Sequence, residues 1–173
     1  IFFLLYMTIV FKAKTDQGYQ FKVLSELLQN NIKLACFEID ENGIKLRTMG
    51  ENQTILIDLN LKSDHFSIYN FKLDNPLIMG IHVAFFHKMV KNIKKKDSIE
   101  LFIDNENMSD LGIKIIPKEG DKVTTSHIKI QNIQNISIDI EDEYKKPVIV
   151  KSTDFQKLCK ELTISSTTQI ATC

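Results

Sequence analysis

The chain has 173 residues, of which 43% are hydrophobic and 25% charged, with 22 basic and 22 acidic side chains giving a formal net charge of zero. That balance argues against a disordered chain and against a histone-like coat for nucleic acid, while leaving room for a local basic face. A core of this size needs neither disulfides nor a metal. The three cysteines, Cys36, Cys159 and Cys173, odd in number and far apart, fit a reducing, intracellular setting rather than a disulfide framework.

The chain begins with the apolar run IFFLLYMTIVF. It is too short to span a bilayer and lacks the basic region and cleavage site of a signal peptide. Met7 lies inside it, so residues 1–6 are expected to be an upstream extension, a long first strand being the alternative. From Met7, TIVFKAK alternates as a strand. In QGYQFKVLSELLQNN, Phe21, Leu24, Leu27 and Leu28 recur at helical spacing. LACFEID and IKLRTM are strand-like runs joined through Asn42-Gly43, a hairpin signal. TILIDLNLKS puts Ile55, Ile57, Leu59 and Leu61 on one face, HFSIYNFKL is another strand, and LIMGIHV leads into the helix pattern FFHKMVKNIKKKD. DSIELFIDNENMSDLGIKIIP reads as a second hairpin and TTSHIKIQNI as one more strand. Few helices among mostly antiparallel strands predict an α+β fold with helices on one side of the sheet. Residues 133–147, which include the acids Asp139, Glu141, Asp142 and Glu143, have no helical stripe and predict a connector. After it, VIVKSTDFQKLCKELT predicts a strand, a capping residue and a helix.

That last segment repeats an earlier one. Phe86–Ile93 and Phe155–Leu162 share the pattern F-x-K-apolar-x-K-x-apolar. The spacing predicts that Phe, with the apolar residues three, four and seven positions on, is buried. Lys88 and Lys91, or Lys157 and Lys160, then share the opposite face. The first helix keeps the apolar spacing but shifts its single lysine, Lys22. The repeat predicts a second copy of the fold starting near Lys146.

No catalytic constellation is legible. The chain has neither a G-x-x-x-x-G-K-[ST] phosphate loop nor a G-x-S-x-G nucleophile turn. His65, His82, His87 and His127 lack ligand spacing with cysteine or carboxylate, and the acids of 139–143 read as an exposed loop. The expectation is a protein that is not an enzyme and uses no metal or cofactor. The paired lysines can be a solvated helix face or can touch phosphates without reading bases. No aromatic residue interleaves with them, which disfavours stacking on single strands.

In order and spacing the motifs resemble the proliferating cell nuclear antigen family of eukaryotic-type DNA sliding clamps. The likeness runs from Val10 to the end: FKAKTDQGYQFKVLSELLQNNIKLACFEIDENGIKLRTM with its Ala35-Cys36-Phe37, then LKSDHFSIYNF, LIMGIHVAFFHKMVK and TDFQKLCKEL. The resemblance implies a clamp domain at 7–132, a connector at 133–147 and an incomplete second clamp domain at 148–173, in a chain shortened in that second domain and drawn from a large DNA virus. It implies a homotrimeric ring, when full length, that encircles duplex DNA and tethers DNA polymerase and other replication and repair proteins. The ring would be opened by a clamp loader, in the nucleus or at a cytoplasmic viral replication site, away from membranes. DNA-facing roles fall on Lys22, Lys88, Lys91, Lys157 and Lys160, with Lys94 and Lys95 extending the second helix. Val23 and Gln29 stand where family members often carry basic residues.

Family partners insert a Gln-x-x-aliphatic-x-x-aromatic-aromatic motif into an apolar pocket beneath the connector. The matching positions are Met49, Gln53, Thr54, Leu56, Ile136, Ile138 and Tyr144, and residue types of this kind suit an apolar plug with polar groups fixing its orientation. The alternative for Met49 and Leu56 is that they are plain core residues. Gly50 and Gln53 replace the family's usual Asp and His, and the connector's Pro is missing, so pocket shape and partner preference are open to change there. The alternative reading is a clamp-like interaction module that binds partner motifs without encircling DNA.

Overall fold

In a computed structural model, the structure describes residues 9–120, 122–133, 138 and 149–165, with side chains through residue 162 of the last segment. The chain divides into two units, 1–138 and 139–173. The first contains strands β1 (Ile9–Thr15), β2 (Leu34–Asp40), β3 (Gly43–Met49), β4 (Leu56–Lys62), β5 (Ile68–Phe71), β6 (Leu77–His82), β7 (Ser98–Asp104), β8 (Asn107–Ile116) and β9 (Thr124–Lys129), and helices α1 (Gly18–Gln29) and α2 (Val83–Val90).

The strands form two antiparallel sheets, ordered β5-β1-β7-β8-β9 and β4-β3-β2-β6. Alternation along each strand sends every second residue inward. The inward set of both sheets meets the helices in one apolar cluster that includes Phe11, Phe21, Ile39, Ile81, Phe86, Val90, Ile103 and Ile113. Phe11, Ile39 and Val90 are fully buried, and burial of such a side chain stabilises by about 1.5–3 kcal/mol. A second cluster joins Leu28 and Ile32 to Ala35, Leu46 and Val83. The expected α+β class with helices on one side of the strands is therefore what forms.

Local chemistry sets the hairpins. The β2–β3 turn is Glu41–Asn42, one residue earlier than Asn42-Gly43, because Gly43 already pairs with Asp40 as the first residue of β3. The Asp40 carboxylate accepts the N–H groups of Asn42 and Gly43 at 2.8 and 3.0 Å, which closes the turn locally. Gly43 has φ 150°, and a Cβ there would collide with the Leu61 carbonyl on the neighbouring strand, so no other residue fits.

Two helix expectations need correction. On α1 the buried stripe is Gly18, Phe21, Ser25 and Leu28, while Leu27 is 52% exposed. At about 100° per residue, Leu27 lies a quarter-turn off the stripe through Phe21 and Leu28. On α2 the helix stops at Val90, so Lys94 and Lys95 do not extend it. The Ile93 N–H bonds back to Val90, and the Asp97 carboxylate accepts the Lys94 N–H at 2.9 Å, which folds 91–97 into a turn.

The second unit contributes helix α3 (Ser152–Ser165). Ile149 and Val150 are not in a strand, contrary to the expectation for VIVK. Phe155, Leu158, Cys159 and Leu162, the predicted buried stripe, are all exposed. Periodicity identifies an apolar face but does not supply a surface to cover it. Among the described residues, no helix is long and apolar enough to cross a membrane.

Candidate nucleic-acid face and partner cleft

The four-stranded sheet separates two surfaces. Along β2, Ala35, Phe37 and Ile39 pack toward the helices, and along β3 so do Ile44 and Leu46. The alternate residues, Leu34 and Cys36 on β2, and Arg47 and Met49 on β3, then point to the opposite face, where they line a cleft. The helix layer and the cleft thus lie on the two faces of one sheet, a consequence of its two-residue period.

On the helix side, α1 and α2 are joined by Ser25 and His87, whose Oγ and Nδ1 lie 3.0 Å apart. Ser25 is fully buried, and its hydroxyl donates to the Lys22 carbonyl at 2.7 Å, so the Nδ1–H of His87 is the donor to Ser25. Lys88 and Lys91 project outward, and neither forms an ion pair among the described residues. Lys91 caps the end of α2, where positive charge also meets the helix dipole favourably. Lys22 is half-buried, with its ammonium 5.5 Å from the centre of the Tyr19 ring. Lys94 and Lys95 are exposed in the following turn. Lys157 and Lys160 are exposed on α3 in the other unit. The outward side of α1 presents Val23 and Leu27, each about half exposed, so the cations concentrate on α2 and its C-terminal turn.

The cleft has a volume of about 580 Å³, within the range of roughly 300–1,000 Å³ that takes a compact ligand group. Met49, Gln53 and Ile138, three of the expected residues, line it together. Leu56 is Met49's cross-strand partner and 40% exposed, but it stands outside the lining. Thr54 falls in a separate, smaller hollow with residues 29–33, because the turn after β3 directs it away. Ile136 and Tyr144 lie outside the described residues. The lining also includes Leu34, Cys36, Arg47, Glu51 and Ile133, which sequence reasoning missed.

Three local features shape this cleft. The β3–β4 loop closes through Gly50 N–H to Ile55 at 2.7 Å and Gln53 N–H to Gly50 at 2.8 Å, and it holds Gln53 at φ 54°, an unusual left-handed conformation for a side-chain-bearing residue. Glu51 ties the loop to the α1–β2 turn through its N–H to Asn31 and an exposed ion pair with Lys33. On the other wall, residues 131–133 run beside β6, with reciprocal bonds between Gly80 and Gln131 of 3.1 and 2.8 Å. A Cβ on Gly80 would collide with Gln131 and Ile133, so the glycine permits this close approach. Burial, and after it the Glu38 carboxylate, pushes the Cys36 thiol pKa up. The thiol therefore behaves as a neutral part of an apolar wall.

The sequence matches the family model described as "Proliferating cell nuclear antigen, N-terminal domain" over residues 10–142. It is also similar to "Proliferating cell nuclear antigen 2" of Plasmodium falciparum, with 35% identity over 159 residues, covering 88% of this chain and 59% of that protein. The chain thus spans less than two thirds of the length of that relative.

Proposed function

Because the chain belongs to the proliferating cell nuclear antigen family, we propose that it provides the first clamp domain of a sliding clamp that encircles duplex DNA and tethers replication proteins. The observation that carries this reading is the two-faced sheet, with exposed Lys88 and Lys91 on the helix side and the Met49–Ile138 cleft on the other. Separate faces allow one protein to follow a DNA backbone and hold a partner at the same time. Lysines on helices attract phosphates without sequence preference, as sliding requires.

The cleft takes a short segment from a polymerase or another replication or repair protein, with an apolar side chain seated against Met49, Leu34 and Ile133 and a polar group near Gln53. Ring assembly is supported by the outer strands β9 and β4, whose outer edges pair with no other strand among the described residues and offer backbone groups to a neighbouring strand. A trimer, opened by a clamp loader and acting in the nucleus, follows from this reading. Retention on duplex DNA tests it. Protein loaded on a closed circle should stay bound through a high-salt wash and be lost once a single cut linearises the circle. Equal loss from circular and linear DNA would overturn the reading.

A second reading has its own support in Val23 and Leu27, apolar groups on the outward side of α1 where a DNA-facing helix would carry cations. It is a clamp-like interaction module that binds partner segments without surrounding DNA. Replacing Lys88, Lys91, Lys157 and Lys160 with Ala separates the two. Loss of DNA tethering with intact peptide binding favours the clamp, and unchanged tethering favours the module.

A further inference from the structure

We propose that Arg47 is a positioning residue that ties Ile138 to the four-stranded sheet and so sets one wall of the cleft; this rests on the cleft being the partner site proposed above. The guanidinium bridges two separate partners. One amino group donates to the Asp58 carboxylate on β4 at 3.1 Å, and the other donates to the Ile138 carbonyl at 3.3 Å, ninety-one positions along the chain. Arg47 and Ile138 both line the cleft, and Asp58 is Arg47's direct cross-strand partner. The planar fork of arginine makes such a bridge possible, since two donors project in fixed directions from one group. Asp58 orients the guanidinium from the sheet, and the second amino group then holds Ile138. A lysine has a single ammonium and no such fork, and glutamine carries no charge to pair with Asp58.

The bridge is exposed, with Arg47 and Asp58 side chains both 46% accessible. Its effect is therefore modest and sensitive to salt. Its role is to restrict where Ile138 sits rather than to hold the fold. Ordering a wall before the partner arrives lowers the cost of binding, and its loss shows mainly as faster release.

Cys36 lines the same cleft and reports on that wall without any ligand. The experiment uses the 173-residue chain with Cys159→Ser and Cys173→Ser, so that Cys36 is the only thiol. Iodoacetamide alkylation of Cys36 is followed by mass spectrometry in the parent, Arg47→Gln, Arg47→Lys and Asp58→Asn proteins. Binding of a fluorescent peptide of the form Gln-x-x-Leu-x-x-Phe-Phe is measured alongside. Arg47→Gln should raise the alkylation rate about threefold and weaken peptide binding about threefold through its off-rate, with Asp58→Asn intermediate, in keeping with the small size of exposed ion-pair effects. High salt should bring the parent toward the variants. Unchanged alkylation in Arg47→Gln, with the urea midpoint showing it folded, overturns the tie. Faster alkylation with unchanged peptide affinity overturns the positioning role. If the parent itself binds no peptide, the reading of the cleft as a partner site fails, and the alkylation rates still decide whether Arg47 holds Ile138.

Discussion

Ser25 and His87 meet at 3.0 Å across the contact between α1 and α2, sixty-two positions apart in sequence. Ser25 is fully buried, which is unusual for a hydroxyl on an otherwise apolar stripe unless both its donor and acceptor roles are used. The Ser25 hydroxyl donates within α1 to Lys22 and accepts from the imidazole of α2. Replacing Ser25 with Ala leaves the half-buried imidazole of His87 without this partner. The expected loss is about 1–3 kcal/mol of stability, read from urea unfolding. An unchanged midpoint would show that the two helices are held by packing alone.

Gly80 decides how closely residues 131–133 approach β6. In Gly80→Ala the added methyl meets both the Gln131 backbone and the Ile133 side chain, so the segment has to move outward and lose its reciprocal bonds to β6. The expected cost is about 1–3 kcal/mol, as for overpacking elsewhere. Because Ile133 lines the cleft, peptide affinity should fall as well. Adding Ile133→Ala removes part of the clash and should recover part of the stability, but not the peptide affinity. A Gly80→Ala protein with wild-type stability and wild-type peptide binding would contradict the close approach.

These two sites show where sequence reasoning reached and where it stopped. The two hairpins were legible because their turn chemistry is local: Asp40 and Gly43 shape the first within four residues, and the Asp104 carboxylate accepts the Glu106 N–H in the second. The alternation in LACFEID also held the signal that Leu34 and Cys36 face away from Ala35, Phe37 and Ile39. What it could not provide is what lies over the outward set, because Ile133 and Ile138 arrive there through pairing distant in sequence. Leu27 was misassigned because three leucines within five residues permit two overlapping stripes. The end of α2 was missed for a different reason. The apolar spacing continues to Ile93, and that residue is buried although it lies beyond the helix, in a turn held by Asp97. For α3 the stripe is present but its side chains are exposed, since periodicity records an apolar face and not its partner.

Lys88 and Lys91 should carry measurable contact with DNA phosphates. Each phosphate contact contributes about 0.9 to the slope of log affinity against log salt concentration on duplex DNA. Replacing both with Ala should flatten that slope by about 2 for a linear duplex, with no dependence on sequence. Lys94 and Lys95 lie in the turn rather than on α2, and their replacement should have a smaller effect. Equal slopes for the wild type and the Lys88→Ala, Lys91→Ala protein would remove these residues from the DNA face.

The Asp40–Lys45 pair predicts a pH window for the β2–β3 hairpin. Burial of Asp40 works to raise its pKa, but the hydrogen bond from Lys45, the Asn42 and Gly43 N–H groups and the lysine's charge outweigh it, so the folded pKa lies below the ordinary 3.8. Lys45 moves above its ordinary 10.5, chiefly through its hydrogen bond to Asp40. The carboxylate's contribution is therefore present above 3.8 and is lost as pH falls through the lowered folded value. The lysine's is present below 10.5 and is lost as pH rises through the raised one. The Lys45 side chain is 41% exposed, so its charge adds little and the backbone bonds matter more. The advantage of wild type over Asp40→Asn should be about 1–2 kcal/mol at neutral pH. It should shrink below pH 3.8. A constant difference across that range would show that Asp40 acts by shape and not by charge.

Gln53 separates stability from binding at a single position. Its φ of 54° places a side-chain-bearing residue in the left-handed region, at a cost of about 1–2 kcal/mol that glycine avoids. Glycine also loses more conformational freedom on folding, which cancels part of the gain. Gln53→Gly should therefore leave the protein as stable as wild type or up to about 1 kcal/mol more so. The same change removes a polar side chain from the cleft wall, and affinity for a peptide led by Gln should drop. Thermal unfolding and fluorescence anisotropy on one preparation give both quantities. Higher stability with weaker binding is the outcome expected of a strained residue kept for its contact with a partner. Lower stability would instead make Gln53 an anchor of the β3–β4 loop, and would remove it from the residues that read the partner.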